Sequence, residues 1–349
     1  MKRLGFCLAK ITLAMTIGIA SQAARADDVA DFYKGKNLTI IVGMAPPDQH
    51  DADARMLARS MGKYIPGQPN IIVQNMPGAG SLKAMQYIAN VAPKDGLTIG
   101  IVQRGVIMMP LLGYPDATFD PTTFNFVGSR APETSIVVLW RDAKVKSIED
   151  AKHNVSLLAS TGGGADSNTM PYIYNETLGT QFKVIIGYAG AGEMNMAMER
   201  REVDGRAGWS MGALRGTHED WYRDGRANII LQHALRPNRN IKSVPLVQTL
   251  AKTPEDKALL DLFAKRLEVG FPVLAPAGVP SDRMAALQAA FIKTMSDADY
   301  IKEAKTIQAE IEPLTGQQMS ALVKDMYATP KSVVDRAKAI LIAQGAPLK

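Results

Sequence analysis

The sequence predicts an α/β protein of two domains, crossed twice by the chain and closed by a helical C-terminal segment. Three observations point there. Short runs that are apolar at successive positions alternate with helix-like patterns, as strands covered on both faces require. The 349 residues are enough for two cores. From Ser281 onward the pattern is helical to the end.

The first 26 residues stand apart from that fold. Lys2 and Arg3 precede an apolar run from Leu4 to Ala20 that only Lys10 interrupts, and Ala24-Arg25-Ala26 follows as a small-x-small site. This is the layout of a secretory signal peptide cut after Ala26, with Asp27 as the new N-terminus. The segment carries Lys2, Arg3, Lys10 and Arg25 and no acid, so cleavage lowers the formal charge from +6 to +2. That balance gives no electrostatic case for nucleic acid. The sole cysteine, Cys7, leaves with the leader, which excludes disulfides, thiolate catalysis and cysteine metal sites. No later run approaches membrane length.

Strands are expected at Leu38–Val42, Asn70–Val73, Leu97–Val102, Ile136–Trp140, Val155–Ala159, Phe182–Ile186 and Asn228–Leu231. Ala54, Leu57, Ala58 and Met61 share one helical face, as do Met194, Ala197 and Met198. Ser147 with Asp150 reads as a capping box, and Thr253-Pro254 as an N-cap followed by proline at the first helical position. Alternation of strand and helix implies parallel sheets with crossover helices. The terminal helices are expected near Ser281–Met295, Asp297–Gln308, Gly316–Tyr327 and Pro330–Ala343. Ile136–Trp140 and Val269–Leu274 bracket the central part as crossings about which the domains hinge. The division that follows is domain one over 27–130 and 273–349, and domain two over 131–272.

Four strand-to-helix loops are candidates for contact with a ligand, because open α/β sheets bind at the carboxyl ends of their strands. The first holds Pro46, Asp48, Gln49, His50 and Asp51; its plain alternative is an ordinary connection with Asp51 as N-cap. The second is Gly78-Ala79-Gly80-Ser81, whose glycines permit close backbone approach and whose amides suit an anion. The third runs from Thr161 through Gly162, Gly163, Gly164 and Ala165 to Asp166. The fourth holds Tyr188, Gly190 and Glu193. None matches a dinucleotide fingerprint or a Walker loop.

Gly208-Trp209-Ser210-Met211-Gly212 fits the pattern of a nucleophile elbow. Gly205-Arg206-Ala207 makes a poor buried strand before it, and His218 and His233 follow too soon for the order of that fold. A serine hydrolase using Ser210 is therefore the weakest reading, and the chain is expected not to be an enzyme. The four histidines show no metal spacing, and neither metal nor cofactor is expected. His153 and His218 are read as solvated, and His50 as near the ligand.

An ordered set of segments carries a resemblance. Gly35-Lys36-Asn37-Leu38-Thr39-Ile40-Ile41-Val42-Gly43, the loop ending in Asp51, Asn75-Met76-Pro77-Gly78-Ala79-Gly80-Ser81 and Ala92-Pro93-Lys94-Asp95-Gly96 come first. Met198-Glu199-Arg200 with Glu202-Val203-Asp204-Gly205-Arg206, then Ala275-Pro276-Ala277-Gly278-Val279-Pro280, then Tyr327-Ala328-Thr329-Pro330 follow. Together they resemble the Bug/TctC-type substrate-binding proteins of tripartite tricarboxylate transporters. The resemblance implies a type II periplasmic binding protein-like fold with a double crossover hinge. It implies a monomer in the periplasm that captures a small organic solute, a carboxylate by family habit, and delivers it to large and small integral membrane subunits. By position, the site would comprise Ala45–Asp51, Gly78–Ser81 and Gln103–Gly105, with Arg104 among them, facing Thr161–Ser167 and Tyr188–Glu193. A binding-fold sensor for a membrane signalling partner is the alternative. One departure bears on the ligand: the family's first loop is glycine-rich, whereas here Pro47 removes an amide donor and Asp48 adds negative charge. Asp48 opposes a ligand carboxylate unless His50 or Arg104 compensates, and a neutral or amine-bearing ligand stays open.

Overall fold

The structure is a computed structural model that describes residues 28–46, 48–161, 165–188, 190–345 and 348. The expected leader, Pro47, Gly162–Gly164 and Ala189 lie outside the described residues.

Eleven strands and twelve principal helices follow one another among the described residues. The first part holds β1 (Asn37–Val42), α1 (Gln49–Met61), β2 (Asn70–Asn75), α2 (Leu82–Asn90), β3 (Thr98–Ile101), α3 (Arg104–Leu112) and β4 (Asn125–Ser129). The middle holds β5 (Ser135–Trp140), α4 (Ile148–His153), β6 (Ser156–Ser160), α5 (Asp166–Leu178), β7 (Phe182–Ile186) and α6 (Ala191–Glu199). It continues with β8 (Gly205–Ser210), α7 (Met211–Arg223), β9 (Ala227–His233) and α8 (Pro254–Val269). The last part holds β10 (Pro272–Ala275), α9 (Ser281–Met295), α10 (Ala298–Thr306), β11 (Leu314–Thr315), α11 (Gly316–Tyr327) and α12 (Lys331–Ala343). Ser147 and Thr253 cap α4 and α8 as their sequences imply, accepting from the amides of Asp150 and Asp256.

The strands form two sheets, ordered β11-β4-β10-β3-β1-β2 and β7-β6-β8-β5-β9. The expected parallel pairing holds where a helix connects neighbours, between β1 and β2 or β3 and between β6 and β7 or β8. It fails at β10, β11 and β5, which pair antiparallel with their neighbours. Strands β5 and β10 arrive from the other sheet by a short peptide, so no crossover helix imposes a parallel direction.

The expected crossing strands prove to be members of the sheets. The crossings themselves are the peptides before them, residues 130–134 between β4 and β5, and residues 270–271 between α8 and β10. These two peptides touch. Glu133 N donates to Leu267 O at 3.0 Å, and Phe271 N donates to Ser129 Oγ at 3.0 Å. Gly270 has φ +60, and a Cβ there would lie 1.9 Å from Ala131 O.

One apolar cluster belongs to the first sheet, with Leu38, Ile40 and Val42 against Met56, Leu57 and Phe291. Another belongs to the second, around Trp140, Trp209 and Trp221. The third runs through both lobes, from Ile41, Ile88 and Ile107 to Leu158, Ile173, Tyr174 and Phe263. Helix α12 packs on α3 of one lobe and on α5 and α8 of the other, and contributes Leu341 to that shared core.

Candidate functional site

Loops from both sheets converge between the lobes. In the first lobe, buried Ser81 ties three of them together. Its hydroxyl donates to Gly43 O at 3.2 Å and accepts from Gln103 N at 3.0 Å. Gly43 must be glycine for this approach, since a Cβ there would fall 2.3 Å from Ser81 Oγ. The backbone that presents Ser81 is left-handed for three successive residues, Ala79 (φ 45), Gly80 (φ 62) and Ser81 (φ 74). Gly78, Ala79 and Gly80 remain exposed, with the side chain of Gln103 against Gly80.

Asp48, not Asp51, caps α1, accepting from His50 N at 2.8 Å. Asp51 lies in the first turn, where it holds Arg55 at 2.9 Å through both oxygens and accepts from Asn75 Nδ2 at 2.8 Å. It is committed to holding β2 against α1. His50 Nδ1 is 2.8 Å from Asp48 Oδ1. The ring is turned inward, its centroid 5.4 Å from that of Phe271 on the second crossing, and its buried Nε2 has no hydrogen-bond partner among the described residues. Burial raises the Asp48 pKa, but the hydrogen bond and charge of His50 outweigh it, and the carboxyl lies below its usual value. Pro46 is exposed.

Arg104, on α3, reaches across to the second lobe. It pairs with Glu133 on the first crossing and with Asp166 Oδ2 at 3.0 Å. Asp166, in the first turn of α5, pairs also with Arg266 Nη2 of α8 at 2.6 Å. Burial would raise the Asp166 pKa; Arg266 and then Arg104 reverse this, and the group stays a carboxylate. Burial in turn lowers the Arg104 pKa, and Asp166 offsets part of the effect.

A pocket opens beside this network at the crossings. Gln49 of the first loop, Ser210 and Gly212 of the β8–α7 junction, and Glu133, Thr134, Asn238, Phe271 and Glu310 are among the residues that line it. Arg130 forms part of its wall, ion-paired with buried Asp53 at 3.0 Å and stacked 4.1 Å from the Phe271 ring centroid. Among the sequence candidates, the structure thus brings together Gln49, Arg104 and Asp166 with the crossings, and Ser81 with the β1 and β3 loops. Thr161 and Glu193 are exposed, Ala165 and Gly190 intermediate, and Tyr188 packs on the second lobe's own core. No motif in the sequence marks Glu133, Arg130, Arg266, Phe271, Asn238 or Glu310. Pro132 inside the first crossing was the available signal, because proline between two apolar strands marks a connection.

The segment before Ser210 is a strand after all. Its Arg206 is buried beneath the Trp209 ring at 4.6 Å and bonded to Asn195 Oδ1 at 3.1 Å. A strand-to-helix turn at Ser210 therefore exists, but its hydroxyl is used as the cap of α7, accepting from Ala213 N at 3.3 Å. Neither downstream histidine bonds to it. His218 is not solvated as expected; its ring lies 4.3 Å from that of Trp221, with Asn195 and Thr217 at its nitrogens. His233 is enclosed by Tyr174 OH and Leu260 O.

A family model described as the tripartite tricarboxylate transporter family receptor, TctC, matches residues 54–338. The chain belongs to that family. As a TctC-family receptor it is a solute-binding protein and not an enzyme. It is 26% identical over 332 residues to the UPF0065 protein of the gbd 5' region of Cupriavidus necator, covering 92% of each chain. Its fold is that of a TctC solute-binding protein from Polaromonas (TM-score 0.66, 15% identity, 89% of this chain and 99% of that one). It is also that of the periplasmic binding protein BugD (TM-score 0.64, 20% identity, 89% and 99%). MatC from Rhodopseudomonas palustris, solved with bound malate, is similar at TM-score 0.62 and 19% identity, over 88% of this chain and 99% of that one. A further R. palustris protein solved with adipate gives 0.65 and 18%, over 86% and 97%.

Proposed function

We propose that this receptor captures a small organic acid between its lobes in the periplasm and hands it to the large and small membrane subunits of a tripartite tricarboxylate-type transporter. The observation that carries the reading is the meeting of strand-to-helix loops from both lobes, where Ser81 ties the β1, β2 and β3 loops of one lobe and Arg104 beside them pairs with Asp166 at the start of α5 in the other. A ligand held by both lobes stabilises their closed arrangement, and that is the signal a membrane partner can read. The similarity in fold to proteins solved with malate and adipate supports an acid as the solute.

Under this reading the lobes are 27–130 with 273–349, and 131–272. Gln49, the exposed amides of Gly78–Gly80 and the Thr161–Ser167 loop contact the ligand, and Ser81 positions that backbone from beneath. Residues 1–26 are removed on export, and the receptor acts as a monomer.

The deciding experiment is mass spectrometry of small molecules released from protein purified from its native periplasm, followed by a thermal-shift screen with the compounds found. An organic acid that raises the melting temperature supports the reading, since a ligand bound by the folded state alone must stabilise it. Release of only neutral or cationic solutes would overturn the acid assignment. The same sample gives the intact mass, expected to begin at Asp27.

A further inference from the structure

The space between the lobes is partitioned by four charged side chains. Arg104 comes from α3, Arg266 from α8, Asp166 from the start of α5 and Glu133 from the first crossing. All four side chains are at most 16% exposed. Two cations and two anions balance, which leaves no spare positive charge for an incoming anion.

The centre of the network has the form of a carboxylate site. Ala165, at the N-cap of the 13-residue α5, gives the helix no side-chain cap, so its positive end faces the cluster. Two guanidinium groups converge on the same point, one per carboxylate oxygen, from elements of different lobes. The Nε donors of both arginines are buried with no partner among the described residues. Strand β8 closes the back, since Gly208 has φ +70 and a Cβ there would lie 2.6 Å from the Asp166 carbonyl carbon and the Ser167 nitrogen. The anion in this site is the chain's own Asp166.

We propose that Asp166 is the specificity-determining residue of the receptor: its carboxylate occupies the position where Arg104 and Arg266 would take a second carboxylate of a ligand, so the receptor selects acids with one carboxylate over dicarboxylates of the same length. This rests on the reading of the chain as an organic-acid receptor. A dicarboxylate entering the cleft must displace Asp166 or bring an anion beside a network already neutral, and either course buries an uncompensated charge. A monocarboxylate, held through the backbone of the loops, makes no such demand.

The test uses matched acids that differ by one carboxylate: butyrate and succinate, hexanoate and adipate, benzoate and terephthalate. Calorimetric titration of the full chain at pH 7.5 is expected to show the monoacid of the best-bound pair favoured by about tenfold or more. In Asp166→Ala the preference should reverse towards the diacid, and adding Arg104→Gln should abolish that gain. Asp166→Ala leaves buried Arg266 without its ion pair and Arg104 with Glu133 alone, so it should melt lower than wild type, and the diacid should restore more of the lost melting temperature than the monoacid. Asp166→Asn keeps the side-chain shape; its mono-to-diacid ratio should fall as well, and it carries the test if the alanine variant does not fold. A wild type that prefers the diacid, or a folded variant with the wild-type ratio, overturns the proposal while leaving the organic-acid reading intact. Failure of every acid to bind every form overturns both.

Discussion

Ser81 is fully buried although the three residues before it are exposed. Its hydroxyl bridges a carbonyl of the β1 loop and an amide of the β3 loop, so one side chain sets the spacing of three strand-to-helix loops. Ser81→Ala leaves both groups unsatisfied in a buried setting, and should cost about 1–3 kcal/mol in urea unfolding. Because the loops lose their common anchor, ligand affinity should fall as well. Unchanged stability would mean that water replaces the hydroxyl without loss. Asp48 and Asp51 show how far a loop can be read from sequence. Both fit an N-cap by residue type, and the helix begins at the earlier one because the later carboxylate is taken by Arg55 and Asn75. Asn75 lies 24 positions away in the chain, beyond the reach of local pattern.

Every strand expected from an apolar run exists, and the two principal misses, β4 and β8, contain residues that disguise burial. Strand β4 reads Asn-Phe-Val-Gly-Ser, and β8 opens with glycine and arginine. Gly205 is required where β8 passes β5, since a Cβ would lie 2.1 Å from Val138 O, and Arg206 is buried against Trp209. Buried arginine looks like surface arginine in a sequence, and the same holds for Arg266 of α8, which is buried. Where α5 meets β8, Gly208→Ala would force a side chain into the first turn of α5 at a left-handed position, moving Asp166 away from its arginines. It should destabilise the protein by several kcal/mol by urea titration, and a cost below about 1 kcal/mol would show that the turn can shift freely. Strand β9 makes a pH prediction. Burial lowers the pKa of its last residue, His233, from 6.5 to about 4, and the neutral ring bridges Tyr174 OH and Leu260 O. Between those values the unfolded chain binds the extra proton, so this contribution is complete above pH 6.5 and is lost as pH falls towards 4. The loss is about 3 kcal/mol at most. His233→Gln should flatten stability against pH in that window, and an equally steep acid limb in the variant would assign the slope to other groups.

At the scale of the whole molecule, the lobes are joined by more than two crossing peptides. The pattern of apolar strands and terminal helices made the two-lobed form legible, but no periodicity in Lys331–Ala343 tells which lobe that helix serves. The structure shows it serving both, with α12 against α3 on one side and α5 and α8 on the other. A pure hinge at residues 130–134 and 270–271 would open freely; a helix whose Leu341 is buried in the shared core resists opening, because separation exposes apolar surface on both sides. The crossings themselves leave little slack, since Gly270 already lies against Ala131. The brace is weakened most simply by Leu341→Ala. Loss of that buried side chain should cost about 2–5 kcal/mol, and the ligand-free variant should show a larger radius of gyration than wild type in small-angle scattering. Saturating ligand, binding to both lobes, should return the variant to the wild-type value, with a larger change than ligand produces in the wild type itself. A variant that loses stability but keeps the wild-type scattering profile, with and without ligand, would show that α12 contributes cohesion alone and that the closed arrangement is set by the crossings and by the Arg104–Asp166 pair.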